Sequence, residues 1–199
     1  NDFFEHDYIY FNNGDKTFRE TIKNSTKHIS YYSMGNDMAD FNNDGLLDIM
    51  VLDMVAEDNR RLKENLGGMI KNTFKHRVEM GFHHQYMFNV LHLNNGNETF
   101  SEIGMLAGVS TTDWSWGPLF ADFDNDGWQD LHVTNGLMRD IRNTDAARSF
   151  PEFVQRSINE FVARNPNAGD VSIWDILDLD EAMKLVPSER LSNYVYQNN

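Results

Sequence analysis

A chain of 199 residues with 40% hydrophobic and 13% aromatic content is long enough to bury a core. Its formal charge of −14, from 31 acidic against 17 basic residues, repels phosphate backbones and draws cations, which argues against nucleic-acid binding. No apolar run approaches the roughly 18 residues of a membrane span, so no transmembrane segment is expected, and the absence of cysteine excludes disulfides and thiolate metal sites.

In chain order, the first pattern is YIYFNNGDKTF, Tyr8 to Phe18, two β-rich runs around Asn13-Gly14. Asn-Gly tolerates the positive φ values of a tight hairpin turn. Next comes SMGNDMADFNNDGLLDIMV, Ser33 to Val51, an acidic loop running into a strand. Leu62, Leu66, Ile70, Phe74 and Val78 then recur four apart, the stripe of an amphipathic helix that Gly67-Gly68 is placed to break. VLHLNNGNETF, Val90 to Phe100, repeats the first pattern with Asn95 on Asn13, and SWGPLFADFDNDGWQDLHV, Ser115 to Val133, repeats the second with Asp122 on Asp40. One offset of 82 residues spans both blocks, and a repeat is the first thing to be explained.

Beyond the second block, Ser149 with Glu152 reads as a capping box with Pro151 in the first turn. Phe153, Val154, Ile158, Phe161 and Val162 form the apolar stripe of the helix that follows, which ends at Asn165-Pro166, and Ser172 to Pro187 is a further helical candidate. NYVYQNN, Asn193 to Asn199, resembles DYIYFNN and opens a third copy, so a piece of a longer protein is expected. The expected unit is antiparallel: strand, acidic loop, strand, connection, strand, Asn-Gly turn, strand. Such units gain stability by stacking radially. The expectation is therefore a mainly β chain with helical insertions, a partial β-propeller over 1–199. Its repeat blocks fall at about 8–53 and 90–136, its insertions at about 57–87 and 137–190, and its third repeat starts near 193.

The two loops carry Asp40, Asn42, Asp44 and Asp48, and Asp122, Asp124, Asp126 and Asp130, at positions 1, 3, 5 and 9, with glycine at position 6. Alternate oxygen side chains turning at glycine suit a hard cation such as Ca²⁺, with the backbone carbonyls of Leu46 and Trp128 at position 7 as further donors. An EF-hand needs glutamate at position 12 and flanking helices; Val51 and Val133 stand there, inside β-like runs. Recurrence in one register argues against a catalytic carboxylate pair. Two Ca²⁺ sites are expected, the second tighter because it holds four carboxylates against three.

The stretches DFNNDGLLDIMVLDM, DWSWGPLFADFDNDGWQDLHVTNG and YIYFNNGDKTF resemble the FG-GAP/VCBS repeat proteins, relatives of the integrin α-chain propeller. Within these, they are most similar to the secreted Bacteroidetes-type members that often carry an ASPIC/UnbV domain. The resemblance implies blades of a β-propeller, calcium in both loops, and an extracellular, periplasmic or outer-surface setting. It departs from that pattern at Asn42, where many copies have Asp, and no integrin-like Phe-Gly…Gly-Ala-Pro block is intact, so integrin-type ligand binding is not implied.

The functional expectation is a calcium-binding, non-enzymatic propeller segment for recognition, adhesion or scaffolding, with an extracellular protein or a glycan as ligand. The alternative is part of a propeller-type polysaccharide-active enzyme such as a lyase. Against it, the chain has no Gly-x-Ser-x-Gly and no His-Glu-x-x-His. His76, His83 and His84 are read as solvated or packing residues, Trp114 and Trp116 as packing between blades, and Arg139 with Asp140 as an internal ion pair.

Overall fold

The computed structural model describes residues 5–65 and 71–199, and divides them into two compact units. Helix accounts for 27% of residues and strand for 24%, but every strand lies in the first unit, which carries the acidic loops.

The first unit comprises residues 5–58, 71–136 and 191–199. A hairpin opens it: β1 (Tyr10–Asn12) pairs antiparallel with β2 (Phe18–Glu20) across residues 13–17, in which Gly14 and Lys16 take φ of 82° and 72° but Asn13 does not, so a longer loop replaces the tight Asn-Gly turn expected from the sequence. A short helix α1 (Ile22–Ser25) and β3 (Ile29–Ser30) follow. Then β4 (Asn36–Ala39) and β5 (Asp48–Val51) form a hairpin across the first acidic loop, with the brief strand β6 (Met54–Val55) beyond. After α3 (Lys71–Glu79), β7 (Gln85–Tyr86) pairs in parallel with β3, and β8 (Val90–Asn94) and β9 (Phe100–Glu102) make the second Asn-Gly hairpin. The sheet order β4-β5-β8-β9 is the antiparallel unit expected from the sequence.

The second sheet is built to the same plan. β10 (Asp113–Ala121) and β11 (Asp130–Asn135) flank the second acidic loop, β12 (Tyr194–Tyr196) joins β11, and β6 caps the far edge, giving β12-β11-β10-β6. The segment expected to open a third repeat thus occupies, beside β11, the place that β8 holds beside β5. Between the two sheets lies the core of Met50, Leu52, Leu91, Val109, Leu131 and Val133, with Phe41 and Phe120 stacked 6.3 Å apart at its edge. The sheets approach so closely at Gly35 that a Cβ there would stand 2.2 Å from the Trp116 carbonyl oxygen. Only glycine fits, which accounts for Gly35 in a stretch where any polar residue would otherwise serve. Sequence repeats and sheets are out of phase: in each sheet the outgoing strand of the acidic-loop hairpin pairs with a strand from the following repeat, β8 beside β5 and β12 beside β11.

Asp53, between β5 and β6, is fully buried and accepts from the backbone N–H groups of Tyr31 and Tyr32, while its own N–H donates to Asn89 Oδ1. Burial, the largest effect, pushes its carboxyl up to about 6 against these hydrogen bonds.

The second unit comprises 59–65 and 137–190 and holds α2 (Asn59–Asn65), α4 (Thr144–Arg164), α5 (Ile173–Ile176) and α6 (Leu179–Lys184). Of the expected stripe in the first insertion, Leu66, Gly67, Gly68 and Ile70 lie outside the described residues. Three local expectations are corrected. The long helix starts at Thr144, because Asn143 caps it by accepting from the N–H groups of Asp145 and Ala146. Ser149 instead donates its hydroxyl back to the Asp145 carbonyl at 2.9 Å, the behaviour of an interior residue, and Pro151 is interior too. Asp140 pairs with Arg61 at 3.2 Å, not with Arg139, whose guanidinium donates to the Val186 carbonyl. The Ser172–Pro187 candidate resolves into α5 and α6, because Asp178 caps a new helix at the N–H groups of Asp180 and Glu181.

Candidate metal centre

Both acidic loops close by the same hydrogen bonds. Asp40 Oδ1 accepts from Asp44 N at 3.0 Å and its Oδ2 from Gly45 N at 2.8 Å; Asp122 does the same with Asp126 N and Gly127 N, both at 3.0 Å. The position-5 carboxylates, Asp44 and Asp126, accept from Leu46 N and Trp128 N. Two left-handed residues per loop make this possible: Asn43 and Gly45 at φ 57° and 87°, Asn125 and Gly127 at 62° and 94°. Asparagine tolerates that region and glycine has no penalty there, so the Asn-Asp-Gly run is a backbone requirement as much as a source of charge.

Position 9 is the buried end of each loop. Asp48 is fully buried and Asp130 nearly so, and each accepts at Oδ1 from a backbone N–H of the following repeat, Asp48 from Asn94 at the end of β8 and Asp130 from Asn198 two residues beyond β12, both at 2.8 Å. Their side chains repeat the contact: Asn94 Nδ2 donates to the Leu47 carbonyl and Asn198 Nδ2 to that of Gln129. Burial raises the Asp48 carboxyl, opposed by the N–H groups of Asn94 and Phe41 and reinforced by the charges of Asp44 and Asp40.

Position 3 separates the loops. Asn42 accepts from Asp44 N and turns its amide nitrogen onto Asp44 Oδ2 at 2.9 Å. Asp124 accepts from Asp126 N, and its second oxygen takes Gln197 Nε2 at 2.7 Å. In the second loop the oxygens of Asp122, Asp124 and Asp130 converge within 4.8 Å of one another, the one such group of carboxylates, imidazoles or thiols among the described residues. Asp126 is outside that group. In the first loop the position of Asp124 is held by Asn42, which offers an amide oxygen in place of a carboxylate. The donor set is all oxygen, which suits a hard cation over a transition metal.

The Leu46 side chain lies against Gly96, and the Trp128 ring is partly exposed. The loops also touch: Asn43 Nδ2 donates to the Gly127 carbonyl at 3.1 Å, and Asn198 Nδ2 to that of Phe41 at 2.6 Å. Asn94 and Asn198 were missed as loop residues, although their recurrence with Asn12 at one register position was the available signal. Gln197 had no such signal.

The other candidates stay outside any metal-capable group. His76 is exposed on α3, and His83 is buried with Nε2 3.0 Å from Thr26 Oγ1; burial, followed by the charges of neighbouring His84, His6, Lys23 and His28, brings His83 down to about 4. Of the two tryptophans, Trp114 is buried, whereas Trp116 is exposed and donates Nε1 to the Gly136 carbonyl, which corrects its assignment to packing.

Paired antiparallel sheets, each sprung from a nine-residue acidic loop and completed by the next repeat, define a tandem repeat protein of propeller-like build. The FG-GAP-like repeat model matches residues 2–51 and 82–133, more than half of the chain, and the chain belongs to that family. Neither a curated protein nor a solved structure gives a match. FG-GAP repeats are typical of extracellular or surface proteins, and no helix among the described residues is long and apolar enough to cross a membrane.

Proposed function

We propose that the chain is a calcium-stabilised, non-enzymatic segment of a β-propeller, its two sheets serving as blades, in a secreted or surface-attached protein of the ASPIC/UnbV-associated kind. Its role is recognition, adhesion or scaffolding toward an extracellular protein or glycan. The observation that carries the calcium reading is the convergence of Asp122, Asp124 and Asp130 within 4.8 Å in a loop whose backbone plan recurs 82 residues earlier. Asp122, Asp124, Asp126, Asp130 and the Trp128 carbonyl would hold one ion; Asp40, Asn42, Asp44, Asp48 and the Leu46 carbonyl would hold the other. A bound divalent cation supplies charge neutralisation and a cross-link between the two ends of each loop. The residues themselves supply the rest: Asp48 and Asp130 tie the loop end to the adjoining strand, so loop order is transmitted to the sheet.

Thermal melting in calcium and in excess chelator tests this. Ligand binding to the native state stabilises it by about 1.8 kcal/mol per site at roughly 20 times the dissociation constant, and such extracellular modules bind near ~10⁻⁴ to 10⁻³ M. A Tm that rises with millimolar calcium is expected; identical melting in chelator removes the calcium reading. Turnover of a polysaccharide that vanishes on substitution outside both loops would replace the non-enzymatic role.

A further inference from the structure

The second insertion carries a cleft of its own. Every residue that lines it falls within 153–178, so it belongs wholly to the second unit, and it opens a volume of about 590 Å³ between the C-terminal half of α4 and the junction of α5 with α6. One wall is a single face of α4 in two adjacent rows with four-residue spacing: Phe153, Ser157 and Phe161 in one, Arg156, Glu160 and Arg164 in the other. Ile176 and Asp178 line it from the α5–α6 side. Eight of the chain's ten arginines lie in the second unit, which makes it the part where a chain of net charge −14 can receive an anion.

The charges in the cleft are unequally satisfied. Glu160 pairs with Arg164 at 3.3 Å, and Asp178 accepts at Oδ1 from the N–H groups of Asp180 and Glu181, so both carboxylates are engaged. Arg156 is exposed and lies over the Phe153 ring, 5.6 Å from its centroid, with no hydrogen bond or ion pair among the described residues. The ring holds the guanidinium beside the cleft and leaves its N–H donors to an incoming acceptor. The hydroxyl of half-buried Ser157 is likewise without a hydrogen bond among the described residues.

We propose that this cleft binds an oligosaccharide with one carboxylate, a uronate among neutral sugars, held by Arg156; this rests on the recognition role proposed above and gives it a site and a ligand class. A carboxylate takes a guanidinium through two parallel hydrogen bonds. Glu160 and Asp178 equal the two arginines in number, so the cleft has no charge left for a second anionic group, which argues against a densely sulfated chain or an acidic peptide. Sugar hydroxyls both donate and accept, and the cleft offers both: the Ser157 hydroxyl, Glu160 Oε1 and Asp178 Oδ2. Half-buried Phe161 gives the apolar face of a sugar ring a surface to rest on. The volume lies within the roughly 300–1,000 Å³ of small-ligand sites.

The test is a nitrogen–proton NMR titration of the full chain with a disaccharide of one glucuronate and one neutral hexose, and with its carboxyl-reduced counterpart. The uronate is expected to shift the amide signals of residues 156–165 and 176–178 and the Arg156 Nε–H signal, with millimolar affinity and about tenfold preference over the reduced sugar. Arg156→Gln should abolish that preference and leave binding of the reduced sugar unchanged. Arg190→Gln, at an exposed arginine outside the cleft, should change neither. Equal affinity for the two sugars overturns the proposal, as does equal weakening by both substitutions, which would make the effect one of overall charge. Shifts confined to the first unit overturn the site and leave glycan recognition standing. Binding here followed by turnover of the uronate keeps the site and overturns the non-enzymatic reading instead.

Discussion

The first acidic loop and the second share a backbone and differ at three side chains, at positions 3, 7 and 8, of which only position 3 changes a candidate side-chain ligand. Both turn through a left-handed asparagine and glycine, and both anchor position 9 to the next strand. In the first, Asn42 settles the charge of Asp44 from within the loop; in the second, Asp124 adds a carboxylate, and one of its oxygens draws Gln197 from the terminal strand segment. Positions 1, 6 and 9 therefore set the loop's shape, and position 3 sets its charge and what it recruits. The loops also anchor unequal partners, since Asn94 belongs to a strand held on both edges, by β5 and β9, and Asn198 follows a three-residue strand held only by β11.

That inequality gives the largest predicted effect. Asp48→Ala removes a fully buried carboxyl and leaves the N–H of half-buried Asn94 unpaired, and should cost about 3 kcal/mol in urea unfolding with chelator present. Asp130→Ala frees a terminal segment that can rehydrate, so its global cost should be below about 1.5 kcal/mol, with its main signature in faster amide exchange at Tyr196 and Asn198. Equal losses would mean that the two anchors are equivalent after all.

Acid sensitivity should separate the sheets next. His92, in β8, is brought down to about 4, mainly by burial, with Glu102 opposing and His28 assisting; His83 also lies near 4, and Asp53 is pushed up to about 6. The counterparts of His92 and Asp53 in the second sheet are Tyr196 and Asn135, which do not titrate in this range. Between pH 4 and 6 the unfolded chain binds two more protons on the histidines and the native chain one more on Asp53. The net excess of one on the unfolded side makes stability rise with pH, by up to about 1.4 kcal/mol per unit. The histidine contribution is complete above about 6.5 and lost on acidification, whereas that of Asp53 is complete below about 3.8 and lost as pH rises through 6. Urea midpoints from pH 4 to 7 check the slope, and the double variant His83→Gln, His92→Gln should reverse its sign.

How much of this was legible follows from the range of the interactions. The β4-β5-β8-β9 order, both Asn-Gly hairpins and the plan of the loops rest on local patterns, alternation and turn chemistry, and were visible. The register of the sheets against the repeats was partly visible in Asn12, Asn94 and Asn198, but its meaning needed the pairing of β12 with β11. The start of α4 was misread because Ser149 and Glu152 satisfy a capping pattern locally, while Asn143, six residues earlier, holds the better acceptor geometry. Nothing local links Arg61 to Asp140 across 79 positions, or Gln197 to Asp124 across 73. Such partners are chosen by the fold, and unless they recur with the repeat, as Asn94 and Asn198 do, a sequence pattern carries no trace of them.

Exchanging position 3 sharpens the comparison of charge. Asp124→Asn should lower terbium or calcium affinity of the second loop by about tenfold, equivalent to ~1.4 kcal/mol, and Asn42→Asp should raise that of the first loop similarly. Trp128 lies in the second loop alone, so sensitised terbium emission reports that loop, and total calcium stoichiometry by calorimetry reports both. If the two substitutions left affinity unchanged, position 3 would not set the charge that matters.

The smallest effect concerns the contact between the loops. Asn43 holds φ 57° and donates to the Gly127 carbonyl, so its removal touches both the first loop's turn and the junction with the second. Asn43→Gly keeps the left-handed turn without strain and deletes only the side-chain donor, costing about 0.5–1 kcal/mol; Asn43→Ala adds the steric cost of an L side chain at positive φ. The difference between the two variants isolates the turn, and the effect of Asn43→Gly isolates the junction. If Asn43→Gly also shifts the amide signals of Gly127 and Trp128, the loops act as one surface; if the shifts stop at Gly45, each loop is closed by its own hydrogen bonds and the junction is incidental to both.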